Sequence, residues 1–403
     1  MQTLHLTAEE EAMLGGRDGD GVALAMRVIV GQARISDAPR LVEITSAHVD
    51  SCLYHGQVSL DFAHRLVDLG ARVRVPTTLN VGSTDLIHPA LVRDQELAAA
   101  GRELMAAYVD LGCTPTFTCA PYQLPNRPGL GEHIAWAESN AIVFANSVLG
   151  ARTDRYGDFL DVCAAITGRA PYAGLQTTEA RQGTVVFDCR QLGDFLHSEL
   201  AYPLLGHHIG SVVGAGIPVL VGIPTEATED DLKALGAAAA SAGGVALFHA
   251  VGITPEAPRE FAELPVREVD LDTLQRVRRE LSTTGELDAV SVGTPHASYA
   301  ECLRLAELLK GGPPLKVPFY LSTNRHTRER LEGALDVLEN AGVTVVVDTC
   351  TYVTAILSPD WKNVMTNSGK WAHYAPGNIN VNAVLGSLAE CVASARAGEV
   401  VFE

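Results

Sequence analysis

The reading of the fold turns on one stretch, AVSVGTPHASYAECLRLAELLKGGPPLKVPFYL, residues 289–321. Its start, 289–292, is a short apolar strand. Residues 299–309 read as a helix, and 317–321 as a second apolar strand. Continuous apolar strands separated by helices mark a parallel sheet covered on both faces. Working outward, the alternation continues. A helix over 327–341 leads to a strand at 344–347. Upstream, a strand at 219–222 precedes a helix opened by Thr228 with Asp231 three residues on, and 245–250 reads as a buried strand.

The first half alternates in the same way. Thr7 and Glu10 have the spacing of a capping box, in which each side chain satisfies the other's backbone donor. Gly15, Gly16, Asp18, Gly19 and Asp20 break the chain. Helices are expected over 22–32, 60–69, 95–111, 133–149 and 159–166. Strands are expected at 41–45 and at 73–75, the latter ending at Pro76, and 116–118 is expected to be extended. The fold class is α/β. A length of 403 residues suggests two or three domains. We expect an N-terminal α/β domain over 1–222 and C-terminal α/β domains over 223–403.

Composition narrows the function classes. Hydrophobic residues make up 47% of the chain and charged residues 19%, enough apolar material for a large core. The net charge of -18 argues against nucleic acid, because phosphate binding needs a basic face. Glu9, Glu10 and Glu11 stand where a signal peptide would be basic and then apolar. No run of about 18 uncharged apolar residues is present, so no membrane span is expected. A cytoplasmic location follows as an expectation, with the eight cysteines reduced.

Familiar motifs fail. Val219 stands where the third glycine of a dinucleotide loop belongs, and Walker A and G-x-S-x-G sequences are missing. Four polar segments do invite chemistry, because ligands of α/β sheets bind beyond strand carboxyl ends. The first is 76–83, with Thr78 and Asn80. The second runs from 112 to 153 and carries Glu138, Ser139, Asn146 and Ser147 in an apolar context. The third, 293–298, holds Thr294 and His296. The fourth joins Asp348, Thr349 and Cys350 to a stretch with Asn367, Ser368 and Lys370 at an expected helix start, where backbone donors suit an anion. Cysteine spacing alone leaves an iron site and inert buried thiols both open.

Taken together, the segments resemble the aconitase X family, specifically its large catalytic subunit. The resemblance rests on LTAEEE at 6–11, TTLN at 77–80, CAPY at 119–122, EHIAWAES at 132–139, ANSVLGART at 145–153, DTC at 348–350 and TNSGK at 366–370. It implies an aconitase-like arrangement of parallel sheets covered by helices, lacking the small swivelling domain. It implies a hydro-lyase removing water from a small hydroxy acid at an iron or iron-sulfur centre, with Cys119 and Cys350 as metal ligands. Glu138, Ser139, His296 and Lys370 become candidates for moving protons or charge. Thr78, Asn80, Asn146, Ser147, Arg152, Thr294, Asn367 and Ser368 become candidates for holding substrate. Archaeal relatives resemble G-C-P-H where this chain reads Gly293-Thr294-Pro295-His296. Cys113 or Cys52 then become substitute ligands, and a 2Fe-2S cluster or a single iron is the implied centre. The threonine version is similar to the bacterial branch that dehydrates cis-3-hydroxy-L-proline. A separate small subunit supplying a catalytic serine is the implied partner. Two alternatives are a mevalonate 5-phosphate dehydratase subunit, with Arg325 as an added basic group, and a metal-free scaffold subunit. Cys163, Cys189, Cys302 and Cys391 read as structural.

Overall fold

A computed structural model describes residues 3–402 and divides the chain into two compact units. The first comprises the described residues through Thr84 together with Asp94–Gln182. The second comprises Asp85–Arg93 and the described residues from Gly183 on.

In the first unit, α1 (Ala8–Leu14) begins with the expected capping box between Thr7 and Glu10. It is followed by α2 (Asp20–Ile35), β1 (Leu41–Glu43), β2 (Ala47–Val49), α3 (Gln57–Asp68), β3 (Thr77–Leu79), α4 (Gln95–Asp110), β4 (Ala135–Trp136), α5 (Ser139–Phe144), α6 (Leu160–Thr167) and β5 (Arg169–Pro171). Strands β3, β2 and β4 form a parallel sheet in that order, and β1 pairs with β5 antiparallel. Met26, Ile29, Leu66, Tyr108 and Ile166 fill the core between sheet and helices. Two expectations shift. The strand near Pro76 lies after the proline, because β3 takes its register from β2, Ala47 opposite Thr77. The helix expected over 133–149 starts only at Ser139. Trp136 is drawn into the sheet opposite His48, and Ile134 N–H bonds to the Arg152 carbonyl.

The second unit begins with β6 (Val185–Asp188), α7 (Ala201–Val213), β7 (Pro218–Val221), α8 (Glu229–Ala242), β8 (His249–Ala250), β9 (Val266–Glu268) and α9 (Leu271–Glu280). These four strands order as β8-β7-β6-β9, all parallel. Helices α7 and α8 pack unusually closely. A Cβ on Gly206 or Gly210 would collide with the Leu235 or Ala239 carbonyl of α8. That contact fixes α8, whose first two turns carry Asp230 and Lys233.

The stretch read first from sequence then builds a five-stranded parallel sheet. It comprises β10 (Ala289–Ala297), α10 (Tyr299–Leu309), β11 (Phe319–Thr323), α11 (Arg325–Arg330), α12 (Gly333–Asn340), β12 (Val343–Val346), β13 (Asn363–Thr366), α13 (Gly369–Ile379), β14 (Asn382–Leu385) and α14 (Leu388–Ala397). The order is β12-β11-β10-β13-β14. Val290, Phe319, Leu321, Leu338 and Val384 are among its core residues. The strand expected to stop at Val292 runs on to Ala297 through the cis Thr294–Pro295 bond. Its pairing with β11 skips from Val292 to Ala297, so residues 293–296 bulge out of the ladder. The helix expected over 327–341 is broken at Leu331 and Glu332.

Candidate functional site

Each unit gathers polar groups at the carboxyl ends of its parallel strands. In the first unit, β2, β3 and β4 end at Asp50, Asn80 and Glu138. The Asn80 amide donates to Asp50 Oδ1. His48 Nδ1 lies 2.8 Å from the Thr78 hydroxyl, and the ring is fully buried. Burial pushes His48 down to about 3, so it is a neutral imidazole at ordinary pH. Burial, reinforced by the nearby Glu138 charge, pushes Asp50 up to about 7.

Glu138 is the N-cap of α5 rather than a residue within a helix. Its carboxylate accepts from Ala141 N at 2.9 Å, from the Ser139 hydroxyl at 3.2 Å and from the Asn140 amide. Asn140 also donates to the Cys119 carbonyl at 2.9 Å and accepts from the Tyr122 hydroxyl at 2.6 Å. Cys119 is therefore wired to Glu138 through one amide. The single turn after α5, Ala145–Leu149, is a π-helix, a distortion frequent at functional sites. Asn146 within it exchanges two hydrogen bonds with the Thr153 backbone and accepts from Arg181. Ser147 is buried beside it, and Arg152 donates to the Thr178 hydroxyl at 2.9 Å. Cys52 and Cys113 sit in the apolar core. The Cys52 thiol donates to the Asn80 carbonyl at 3.2 Å, and burial pushes Cys113 up to about 12.

In the second unit, His296 and Cys350 are both buried. His296 Nε2 lies 3.1 Å from the Thr349 carbonyl. A carbonyl only accepts, so Nε2 carries the proton and Nδ1 keeps its lone pair. Burial pushes this ring down to about 4, so it too is neutral. Cys119 in the first unit, with His296 and Cys350 in the second, are buried residues of the types that ligate metals. All eight cysteines are buried and none is in a disulfide.

The turn holding Cys350 is fixed by two carboxylates. Asp348, with φ at 64°, pairs with Arg325 at 2.5 and 2.6 Å and accepts from Leu86 N at 3.1 Å. Asp85 accepts from Ile87 N, His88 N and Val347 N at 2.7 to 3.0 Å. Arg325, the cation considered for a phosphate, is thus committed to Asp348.

A cavity of about 400 Å³ opens over β10 and β13. The sheet order reverses between these two strands, since the chain runs outward from β10 to β12 and then crosses to β13. Open α/β sheets bind ligands in the crevice at such a reversal. Thr294, Asn367 and Ser368, all anticipated from sequence, share its wall. The Thr294 hydroxyl and the Asn367 side-chain oxygen are buried and have no hydrogen-bond partner among the described residues. Ser368 caps α13 by accepting from Trp371 N at 3.0 Å, and Lys370 is buried in the same turn. Sequence reasoning missed another part of the wall, an ion cluster of Lys233, Asp230 and Glu301. Its one local signal was the capping spacing of Ser298 and Glu301.

Comparison with known proteins matches this architecture. Profiles described as the first, second and third domains of aconitase X match residues 3–179, 183–284 and 287–397. A cis-3-hydroxy-L-proline dehydratase of Pseudomonas aeruginosa is 41% identical over 98% of this chain and 70% of its own length. One from Hypocrea jecorina is 40% identical over 98% of this chain and 69% of its own. A phosphomevalonate dehydratase large subunit of Thermococcus kodakarensis is 35% identical over 92% and 95%. The holo-form crystal structure of Thermococcus kodakaraensis aconitase X superposes with a TM-score of 0.90 at 33% identity, covering 97% of this chain and all of that one.

Fold and relatives define the class, a multi-sheet α/β enzyme of the hydro-lyase type. Within that class, the chain belongs to the aconitase X family. No helix among the described residues is long and apolar enough to cross a membrane.

Proposed function

We propose that this chain is the catalytic subunit of a cytoplasmic hydro-lyase that dehydrates cis-3-hydroxy-L-proline to a pyrroline carboxylate. The observation that carries the reading is the cavity at the sheet reversal, with two unsatisfied polar atoms on its wall. Buried polar atoms need partners, and a small polar substrate supplies them. The hydroxyproline dehydratases among the relatives support that substrate over the phosphorylated one. The commitment of Arg325 to Asp348 supports it too.

Ser368 and the backbone at the start of α13 hold the substrate carboxylate, with Lys370 supplying positive charge nearby. Thr294 and Asn367 orient its polar substituents. Glu138, its carboxylate held by the Ser139 hydroxyl, is proposed as a proton-moving group of the first unit. Cys119 and Cys350 are the proposed iron ligands, and the thiolate donor set suits iron or an iron-sulfur cluster, 2Fe-2S included. When bound, the iron supplies Lewis acidity toward the departing hydroxyl. His296, its Nε2–H held by the Thr349 carbonyl, is a further proposed proton-moving group. The archaeal relatives named as large subunits support a small-subunit partner, proposed to be a swivelling domain with a catalytic serine.

The test is to assay the chain with its small subunit, purified anaerobically, on cis-3-hydroxy-L-proline and on mevalonate 5-phosphate. Dehydration of the first alone is expected. Activity on mevalonate 5-phosphate alone, or full activity of the isolated chain, would overturn the substrate or the partner respectively. Cys350→Ser should lose iron while keeping the native circular dichroism, and a fully iron-loaded variant would remove Cys350 from the ligand set.

A further inference from the structure

The cavity wall is electrostatically lopsided. Glu199, Asp230, Asp231 and Glu301 face it, against the cations Lys233 and Arg304. Both cations are already in salt bridges. Lys233 contacts Asp230 at 2.8 Å and also Glu301, and Arg304 contacts Glu199. Helix starts on the wall are divided in the same sense. Helices α8, α10 and α14 each begin with a capping box whose Asp or Glu answers the positive end of the helix. Helix α13 alone among these four has no acidic residue in its first turn. One side of the cavity therefore favours an anion and the other a cation. An independent sign of a ligand is the Thr294 hydroxyl, 6% exposed, on the same wall and without a partner.

We propose that the cavity takes a zwitterionic amino or imino acid, its carboxylate at the start of α13 and its ammonium at the edge formed by Asp230 and Glu301. This rests on the hydro-lyase reading above and assigns the residues that choose the amine. Glu301 is placed for it. One carboxylate oxygen accepts from Ser298 N at 2.8 Å and from Lys233, and among the described residues no hydrogen bond reaches the other. Asp230 is steadied by the Ser298 hydroxyl at 2.6 Å. A phosphorylated hydroxy acid, with two anionic groups and no amine, would meet carboxylates on this edge, where Lys233 and Arg304 are already in salt bridges.

The experiment measures binding to the full chain by calorimetry, with L-proline and cyclopentanecarboxylate as probes. They share a five-membered ring and a carboxylate and differ in the ring nitrogen. The native chain should prefer L-proline about tenfold or more, the scale of a charge-assisted hydrogen bond. Glu301→Gln and Asp230→Asn should cut that ratio toward one while leaving cyclopentanecarboxylate affinity within about twofold. General damage to the cavity would weaken both probes together. An unchanged ratio in both variants, each with native circular dichroism, overturns the assignment, as does inorganic phosphate binding the native chain more tightly than L-proline. Turnover of cis-3-hydroxy-L-proline by the native two-subunit enzyme, measured in parallel, separates the two readings. Turnover with an unchanged ratio sinks only the amine edge, and no turnover sinks the hydro-lyase substrate beneath it.

Discussion

Replacing Asp85 with alanine should loosen the turn that presents Cys350. The carboxylate is fully buried and accepts three backbone N–H groups, from Ile87 at 2.8 Å, His88 at 2.7 Å and Val347 at 3.0 Å. Ile87 and His88 are partly exposed, so water can replace the carboxylate at roughly 0.5–1 kcal/mol each. Val347 is buried, and its stranded donor should cost about 1–3 kcal/mol. The sum is roughly 2–5 kcal/mol. At about 2–4 °C per kcal/mol for a unit of this size, the melting temperature should fall by roughly 4–20 °C. Thermal melts followed by circular dichroism, with urea titration as a second measure, would show it. Asp85→Asn should fall between the two, because its amide keeps one acceptor oxygen. A Tm for Asp85→Ala within a degree of the native value would refute the idea that this carboxylate pins the Val347–Cys350 turn.

Arg181 donates to Asn146 Oδ1 and to the carbonyls of Asn146, Ala151 and Leu175. Arg181→Ala should cost roughly 2–4 kcal/mol in urea titration, and Arg181→Lys should not rescue it, since an ammonium lacks the planar fork. Acid stability should carry a His48 signature. Its pKa is lowered from 6.5 to about 3 in the fold, so the unfolded chain binds the extra proton between those values. That stability is present above pH 6.5 and is lost as pH falls toward 3, with a slope approaching about 1.4 kcal/mol per pH unit. The difference between native chain and His48→Gln isolates it, because neighbouring Asp50, raised to about 7, titrates with the opposite sign. A difference flat across that range would show that His48 is not buried neutral.

The α/β class was legible because alternation of apolar strands and capped helices is a local property. The caps at Thr7 and Thr228 were read correctly from three-residue spacings alone. The reading of β10 stopped short at Val292. Proline lacks a ladder donor, which suggests a strand end, yet the bulge at 293–296 gives that donor no role to play. Glu138 was noticed as a polar residue in apolar surroundings, but its cap role depends on β4, which forms only by pairing with β2. Thr294, Asn367 and Ser368 were legible because strand carboxyl ends bind ligands. Lys233, Asp230 and Glu301 were not, since Lys233 and Glu301 stand 68 residues apart and no sequence period announces such a pairing.

The carboxylate at Asp85 also sets a clock for synthesis. Its acceptor role toward Val347 joins residues 262 apart in the chain. At about 5–20 residues per second, Asp85 emerges from the ribosome roughly 13–50 s before the strand end it must hold. Residues 85–93 must wait as an unfilled loop while Asp94–Gln182 is made and the rest of the first unit condenses around its exit and re-entry points. A fragment beginning at Gly183 would lack that loop, so cutting once between the two units removes a piece of the second.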